Sequence, residues 1–387
     1  MSHFCLFGNH PDISETELFS VFGSKPAFRI GPLAVFHEKL DTKAASDILG
    51  GLVKAGDIIW EGNASDFNTD ILADWIKKHH KKEKILFGLT VYAEHKKEAG
   101  RFKHLPIKLK KSLKPLGKKV RWVTGERGEI RPVTVQKLKM IDEGYDFAVI
   151  LHKSKVHIGK TTGVQDANLW SDRDYGRPFR DAKTGMLPPK LARMMVNIAI
   201  GKKPKKHARL MDPFCGAGTI LMEAAMRAPE LALIGSDIDD KQVRGAERNI
   251  QWLIKRNFVD EKTRVEWMVS SAQDIGNKLE SNVEYIVTEG FLGRPLQGHE
   301  SANELLQNMS EVESIWEETL PILSKLQNKG GKLICIWPEY HARGNIMPLD
   351  MTKTAKDAGY KRLDKNNLLY GRENQHVMRK IVILEKK

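Results

Sequence analysis

An aspartate and two glycines separate an apolar segment from an apolar helix in the stretch RLMDPFCGAGTILMEAA, residues 209–225. Asp212 ends the apolar segment, and Gly216 and Gly218 lie in the turn that follows it. Glycines let a ligand approach the backbone closely, and the free N–H groups at a helix N-terminus favour a phosphate or a carboxylate. The stretch therefore predicts a cofactor loop, with a plain tight turn as the alternative. Its glycine spacing is not that of a dinucleotide-binding motif.

A second acid, Asp237, follows the apolar segment LALIGS. It lies about 20 residues beyond the glycines, where an acid can bind the ribose hydroxyls of a nucleotide-like cofactor. Asp239 and Asp240 begin the next predicted helix instead, where acids in the first turn are favourable. Asp237 is therefore the predicted ribose ligand.

Positive charge is concentrated in one part of this chain, which has a net charge of +14. Residues 77–121 contain sixteen lysines and arginines against three acids. A lysine-rich segment is often only a solvated face, but such a concentration favours a polyanion partner, because neutralised phosphates supply most sequence-independent affinity for nucleic acid. The predicted RNA-binding residues are Lys108, Lys110, Lys111 and Lys114.

The composition, with 41% hydrophobic and 29% charged residues, is that of a folded globular protein. The three cysteines, Cys5, Cys215 and Cys335, lack the paired spacing of a zinc site, and the histidines show no metal spacing either. We predict no metal and a reducing, cytoplasmic location. No apolar run approaches the length of about 18 residues that a membrane span needs, and the N-terminal residues lack a signal-peptide pattern, so we expect no membrane partner.

The 387 residues predict two or three domains. Residues 1–54 read as a small α+β unit, residues 55–166 as a second α+β unit, and residues 167–187 as a linker rich in Arg, Asp, Gly and Pro. In residues 188–387, strands and helices alternate, which predicts an α/β domain with a parallel sheet. Its predicted strands lie in ARLMDPF, LALIGSDI, VEWMVS, YIVTEG and KLICIWP, and MRKIVILEK is expected to add an antiparallel edge.

Four stretches resemble one family: DPFCGAGTILMEA, GSDID, RDYGRPFRDAKTGMLPPKLARMMVNIA and YDFAVILHKSKVHIGKTTGVQD. The chain resembles S-adenosylmethionine-dependent methyltransferases, and more narrowly the THUMP-domain RNA methyltransferases similar to tRNA guanosine-10 N2-methyltransferases. The resemblance implies a Rossmann-like methyltransferase domain preceded by an α+β ferredoxin-like and THUMP region. It also implies S-adenosyl-L-methionine as the cofactor and tRNA as the partner, with residues 55–166 as the THUMP domain.

The same resemblance assigns cofactor-binding residues one by one. Asp237 matches the acid that binds ribose, and Ile238 would pack on the adenine. Ser271 occupies the usual place of the acid that meets the adenine amine, and Asp274, three residues later, is the predicted ligand instead. The residues that match the family's first cofactor loop are Asp212, Phe214, Gly216 and Gly218.

The end of YIVTEGF departs from the family pattern, which has Asp-Pro-Pro-Tyr where this chain has Thr288-Glu289-Gly290-Phe291. In the family, an oxygen and a neighbouring carbonyl accept hydrogen bonds from the exocyclic amine, and an aromatic ring stacks on the base. Phe291 retains the stacking ring, and either Thr288 or Glu289 can supply the acceptor. These three residues are the predicted catalytic residues, acting by positioning.

Three linker arginines, Arg173, Arg177 and Arg180, allow two interpretations. Their guanidinium groups could face a phosphate backbone or the cofactor pocket. Equally, they could pair with the neighbouring acids Asp172, Asp174 and Asp181.

The resulting hypothesis is methyl transfer from S-adenosyl-L-methionine to a base amine in tRNA, most simply guanine N2. Two alternatives stay open: an RNA-binding protein with a catalytically degenerate methyltransferase fold, and a DNA amine methyltransferase. The sequence leaves open the target nucleotide, the number of methyl groups added and any need for an accessory protein subunit.

Overall fold

A computed structural model describes residues 2–125, 128–181, 186–279, 282–364 and 366–387. The chain divides into two compact units. Unit 1 comprises Met1–Pro11 and Ser24–Leu169, and unit 2 comprises Asp12–Gly23 and Trp170–Lys387.

The elements up to the end of the seventh helix are, in chain order, β1 (His3–Phe7), α1 (Pro11–Phe22), β2 (Phe28–Ile30), β3 (Leu33–Phe36), α2 (Thr42–Ile48), β4 (Leu52–Asn63), α3 (Thr69–His79), β5 (Lys84–Ala93), α4 (Lys96–Gly100), α5 (Leu105–Leu113), β6 (Lys119–Val123), α6 (Pro132–Lys137), β7 (Tyr145–His152), β8 (Lys155–Val164) and α7 (Ala167–Tyr175). The remaining elements are α8 (Pro189–Ile200), β9 (Arg209–Asp212), α9 (Thr219–Arg227), β10 (Ala232–Asp237), α10 (Asp240–Lys255), β11 (Val265–Val269), β12 (Val283–Thr288), α11 (Ala302–Leu326), β13 (Gln327–Ala342), β14 (Asn345–Pro348), α12 (Thr352–Asp357), β15 (Tyr360–Arg362), β16 (Leu369–Tyr370) and β17 (Val377–Lys386).

Unit 1 is built on a sheet whose described strands have the order β2-β3-β1-β4-β8-β7-β5-β6. β5 pairs in parallel with β6 and β7, whereas the other pairs are antiparallel. The predicted boundary between residues 54 and 55 lies inside β4, which pairs with both β1 and β8. Strands from both predicted N-terminal domains therefore belong to one sheet.

Unit 2 contains a sheet with the described order β11-β10-β9-β12-β13-β17-β15, to which β14 and β16 attach. β9 to β13 pair in parallel, as the alternating pattern predicts. β17, the strand in MRKIVILEK, is antiparallel to β13, but β15 and β16 pair with it as well. The expectation that this strand forms the edge is therefore wrong, because the short strands of residues 360–370 cover its other side.

Both faces of this sheet are covered by helices. The core on one face includes Leu191 of α8, Leu221 of α9 and Ile250 of α10. The core on the other face includes Trp316 of α11 and Ala355 of α12. Within the described residues, no helix is both long and apolar enough to cross a membrane.

Helix α1 belongs to unit 2, although the sequence places it in the predicted domain of residues 1–54. Ile13 packs in the same core as α8 and α9. The amide of Asn197 donates to Glu17 Oε1 at 2.6 Å, and Arg227 Nε donates to Asn197 Oδ1 at 2.7 Å. These buried polar contacts make α1 an integral layer of unit 2.

Candidate active site

The carboxyl ends of three parallel strands bring the predicted site residues to one edge of the sheet. Asp212 of β9 pairs with Gly235 of β10, two residues before Asp237. Met211 pairs with Ile286 of β12, two residues before Thr288. Open parallel sheets bind their ligands outside this edge.

The glycine loop is shaped by Asp237. The N–H of Gly216 donates to Asp237 Oδ2 at 2.9 Å, and the N–H of Asp239 donates to Oδ1 at 3.0 Å. Gly216 and Gly218 have φ angles of +49° and +76°, a region that side chains rarely adopt. A Cβ on Gly218 would also lie 2.8 Å from Ala246 Cβ. Both glycines are therefore required by the backbone itself.

Helix α9 begins directly after this loop. Its N-cap, Gly218, offers no side-chain cap hydrogen bond, so nothing on that residue competes for the first N–H groups of the helix. Together with the open space around Gly216, where a Cβ would meet none of the described residues within 4 Å, this geometry suits a carboxylate or phosphate of a ligand.

Asp212 lies beneath the loop with 1% of its surface exposed. Burial is the main cause that raises the pKa of this carboxyl to about 7, and the nearby charges of Asp237 and Glu289 act in the same direction. The hydrogen bond from the Phe214 N–H to Asp212 Oδ1, at 3.2 Å, opposes that rise in the pKa. Asp212 thus changes charge close to neutral pH.

The tetrad that ends β12 forms one wall of the site. Thr288 is fully buried, and Phe291 is half-buried against the core that contains Trp316. Gly290 has a φ of +72°, and a Cβ there would lie 2.6 Å from Trp316 Cζ2. Proline holds φ near −65°, so the family's second proline does not fit this backbone.

Glu289 is held by an arginine that sequence reasoning missed. Arg379 Nε on β17 donates to Glu289 Oε1 at 2.5 Å, with 11% and 17% of the two side chains exposed. Burial raises the pKa of Glu289, and the charge and hydrogen bond of Arg379 partly oppose this rise. The strand of Arg379 was predicted, but no local pattern links two residues that are 90 positions apart.

The linker arginines lie against α9. Arg173 Nε and Arg193 Nε donate to the two oxygens of the buried Glu223 carboxylate, at 2.9 and 2.8 Å. Arg177, fully buried, donates to the Thr219 hydroxyl at 2.6 Å and lies 4.0 Å from Asp174. The structure therefore pairs Arg173 with Glu223, an acid that neither sequence interpretation considered.

Asn249 of α10 is a second residue that the sequence did not indicate. Its side chain accepts from the N–H of Phe179 at 2.9 Å and donates to the carbonyls of Phe179 and Ala217 at 3.0 and 2.9 Å. Asn249 thereby ties the linker segment to the glycine loop. Residues 182–185 of the linker lie outside the described residues.

Ile238 and Asp274 lie beyond the ends of β10 and β11. The side chain of Ile238 is 75% exposed, which is unusual for a large apolar residue and leaves it available to a flat ligand. Asp274 is exposed, and its carboxylate accepts from the Ser271 hydroxyl at 2.7 Å. One oxygen of the Asp274 carboxylate is therefore already used in a local hydrogen bond.

Three of the predicted RNA-binding lysines lie on α5 of unit 1, and Lys114 directly follows its last residue. Leu105, Leu109 and Leu113, spaced four residues apart, are buried and direct the opposite face of α5 to solvent. That solvent-facing surface carries the exposed side chains of Lys108, Lys110, Lys111 and Lys114.

A family model described as "RMKL-like, methyltransferase domain" matches residues 177–356. The chain is 34% identical over 128 residues to the "Probable tRNA (guanine(10)-N2)-dimethyltransferase" of Methanothermococcus thermolithotrophicus, covering 32% of this chain and 72% of that protein. The chain belongs to this methyltransferase family. The family uses S-adenosyl-L-methionine as its methyl donor, and the matched residues contain the glycine loop, Asp237 and the tetrad.

The chain is also similar to the "U6 snRNA (guanine-N(2))-methyltransferase THUMPD2" of Bos taurus, with 29% identity over 153 residues that cover 39% of this chain and 28% of that protein. The chain covers less than half of the length of most of the curated relatives that it matches, between 26% and 40%. The crystal structure of TrmN from Thermus thermophilus aligns over 100% of both chains with a TM-score of 0.56 at 14% identity, which shows a shared fold.

Proposed function

We propose that this protein transfers a methyl group from S-adenosyl-L-methionine to the N2 amine of a guanine in RNA, with tRNA as the preferred substrate. The observation that carries the proposal is the position of Thr288-Glu289-Gly290-Phe291. The tetrad lies at the carboxyl end of β12, beside the glycine loop of the neighbouring β9. A methyl donor on that loop would face an amine held by the tetrad.

The residues around the glycine loop fit this cofactor. Asp237 uses its carboxylate oxygens for two backbone N–H groups and retains lone pairs for ribose hydroxyls. The uncapped N-terminus of α9 would hold the methionine carboxylate, and Ile238 would cover the adenine. Asp274 would meet the adenine amine with the carboxylate lone pairs that Ser271 does not use. When bound, the cofactor would supply the methyl group and keep the electron pair of the broken sulfur–carbon bond as a thioether, while the methylated amine would lose one proton.

The tetrad would position the base. Glu289 accepts a hydrogen bond from the exocyclic amine, which directs the amine lone pair away from the carboxylate. Phe291 offers a ring face for stacking, a contact worth about 1–3 kcal/mol per base. Because these residues would hold the amine in line with the methyl group, their contribution is chiefly geometric.

Unit 1 is the proposed RNA-binding part, with the role of a THUMP region. Its α5 presents three exposed lysines, and the exposed Lys114 directly follows this helix. We propose that unit 1 binds tRNA and that the protein acts in the cytoplasm. If the isolated chain is inactive, an accessory protein subunit is an additional requirement.

The test is methylation by the purified full-length chain. The chain is incubated with isotope-labelled S-adenosyl-L-methionine in three separate reactions. These contain unmodified tRNA, other small RNA or duplex DNA. The nucleosides are then separated by mass spectrometry. Label in N2-methylguanosine or N2,N2-dimethylguanosine of tRNA is the expected result, and the same label in the small-RNA arm alone would replace tRNA as the substrate.

Two results would contradict the proposal. Label in a DNA base alone would identify a DNA amine methyltransferase. Binding of both cofactor and tRNA without any methyl transfer, also in the presence of a cell extract that could supply an accessory subunit, would identify an RNA-binding protein with a degenerate site.

A further inference from the structure

Glu289 and Arg379 meet at the carboxyl edge of the sheet because of the strand registers. Thr288, the last residue of β12, pairs with Cys335 of β13. Three residues further along β13, Pro338 pairs with Arg379 of the antiparallel β17. Arg379 therefore lies beyond the end of β12, level with the residues that follow Thr288. Its side chain reaches back across β13 to Glu289.

Stability alone is a weak explanation for this pair. Replacing a buried ion pair with apolar residues often leaves a protein equally or more stable, because both charges lose their hydration. This pair is nearly buried, with 17% and 11% of the side chains exposed, yet it lies beside the predicted acceptor site. Arg379 engages Oε1 of Glu289, so Oε2 is the oxygen that the arginine leaves for another donor.

We propose that Arg379 is a positioning residue that holds Glu289 as an oriented, charged acceptor, and that this carboxylate selects guanine by accepting from both its N1–H and its N2 amine. The inference rests on the proposed function and adds the basis of base selection. A carboxylate has about four acceptor positions, so Oε1 can accept from Arg379 and from the base together.

The chemistry of the four bases gives the selectivity. Guanine presents two adjacent donors, N1–H and the N2 amine. Adenine and cytosine place an acceptor nitrogen beside their amine, and that lone pair would face the charged oxygen. A site built around one hydrogen-bonding pattern rejects a base that leaves its polar group unpaired.

Glu289→Gln provides the sharpest test, with 2-aminopurine as the probe. This base retains the N2 amine but has an acceptor at N1. The RNA carries either guanine or 2-aminopurine at the nucleotide mapped by the methylation experiment above. The parent protein should prefer guanine by roughly 10–100-fold in kcat/KM, the value of a hydrogen bond to a charged group. The glutamine amide can both donate to N1 and accept from the amine, so E289Q should lose most of this preference.

Arg379→Met and Arg379→Lys test the positioning role. R379M should lower kcat for guanine RNA and reduce the base preference by roughly tenfold, whereas R379K retains a positive charge and should recover part of both. Arg372→Met is the matched control, because Arg372 is an exposed arginine close by in the segment that joins β16 to β17. R372M should leave the base preference unchanged even if RNA affinity falls.

The preference is a ratio measured on one protein preparation, so partial unfolding of a variant cancels from it. If E289Q retains the parent preference, or the parent protein accepts both bases equally, base selection by Glu289 is refuted. If E289Q changes the preference and R379M does not, the role of Arg379 is refuted. Failure of the parent protein to methylate guanine RNA is a separate outcome, and it refutes the proposed function instead.

Discussion

The backbone N–H of Gly216 donates to Asp237 Oδ2 across 2.9 Å, which joins the end of β10 to the loop that follows β9. One carboxylate thus shapes the glycine loop, and it is also the predicted ribose ligand. The acid and the loop form a single unit, so a change at Asp237 affects the loop conformation as well as any direct ligand contact.

Asp237→Ala should weaken binding of S-adenosyl-L-methionine roughly tenfold or more, because charge-assisted hydrogen bonds worth about 1.5–3 kcal/mol are lost. Titration calorimetry on the full chain measures this affinity. Asp240→Asn, which removes an acid in the first turn of α10, is the control and should bind as the parent does. Equal affinities for D237A and the parent would remove Asp237 from the cofactor site.

Asp212 should make stability depend on pH. Its pKa rises from an ordinary 3.8 to about 7 in the folded protein, so between these values the folded state binds more protons than the unfolded state. The contribution of this carboxyl to the free energy of unfolding is therefore most favourable at low pH, and it is lost as the pH rises through about 7. Asp212→Asn should remove that loss, so its stability relative to the parent should increase from pH 4 to pH 7 and then level off.

Urea unfolding of the cofactor-free protein at several pH values checks this slope. Exposed Asp47→Asn controls for the loss of a carboxyl group. A stability difference between D212N and the parent that stays constant from pH 4 to pH 8 would contradict the raised pKa of Asp212.

Gly290 should resist substitution for two separable reasons. Gly290→Ala places a Cβ on a backbone with φ of +72° and against Trp316. Gly330→Ala has a similar φ of +71°, and its Cβ would meet no atom of the described part of the chain within 4 Å. The strain of a left-handed residue costs about 1–3 kcal/mol, so G330A should lose that amount and G290A should lose more. Gly290→Pro, which restores the family's proline, should be worse still. Thermal unfolding compares the three variants, and equal losses for G290A and G330A would exclude the steric conflict.

Phe291→Leu should lower turnover without weakening cofactor binding. The lost stacking contact of about 1–3 kcal/mol corresponds to a reduction of roughly 10–100-fold, and the glycine loop lies on a different strand end. Single-turnover kinetics and calorimetry separate these two effects. Thr288→Val is the companion variant: because the fully buried Thr288 side chain lies beside Asp212, this change should mainly weaken cofactor binding. A normal turnover for F291L would argue against base stacking there.

The lysines of α5 and the adjoining Lys114 should dominate the salt dependence of RNA binding. Changing Lys108, Lys110, Lys111 and Lys114 together to Gln should flatten the slope of log K against log salt by up to about 3–4 units, if each meets a phosphate. The matched control changes four exposed lysines of unit 2, namely Lys202, Lys203, Lys205 and Lys206. The slope is measured from binding isotherms at several salt concentrations. If both sets of substitutions flatten the slope equally, the four lysines act only through the net charge of the protein and form no specific RNA-binding surface.

Local sequence determined the glycine loop and the parallel strands. Two successive strand-loop units contain the predicted cofactor residues Asp212, Gly216, Gly218 and Asp237. In a sequence, apolar runs of a few residues and the backbone conformations that glycines allow identify such units. The methyltransferase family followed from the same short stretches. The roles assigned to individual residues of the loop and the tetrad stay predictions.

Tertiary structure alone decided the contacts between distant elements. The registers of β12, β13 and β17 place Arg379 on Glu289, the α10 side chain of Asn249 ties the linker to the loop, and α1 packs into unit 2. β4 likewise continues across the predicted domain boundary as part of one sheet. Apolar periodicity reports which residues are buried, but it carries no information on which distant strand or helix covers them. A partner 90 residues away is chosen by strand order and register, which depend on the free energy of the whole fold.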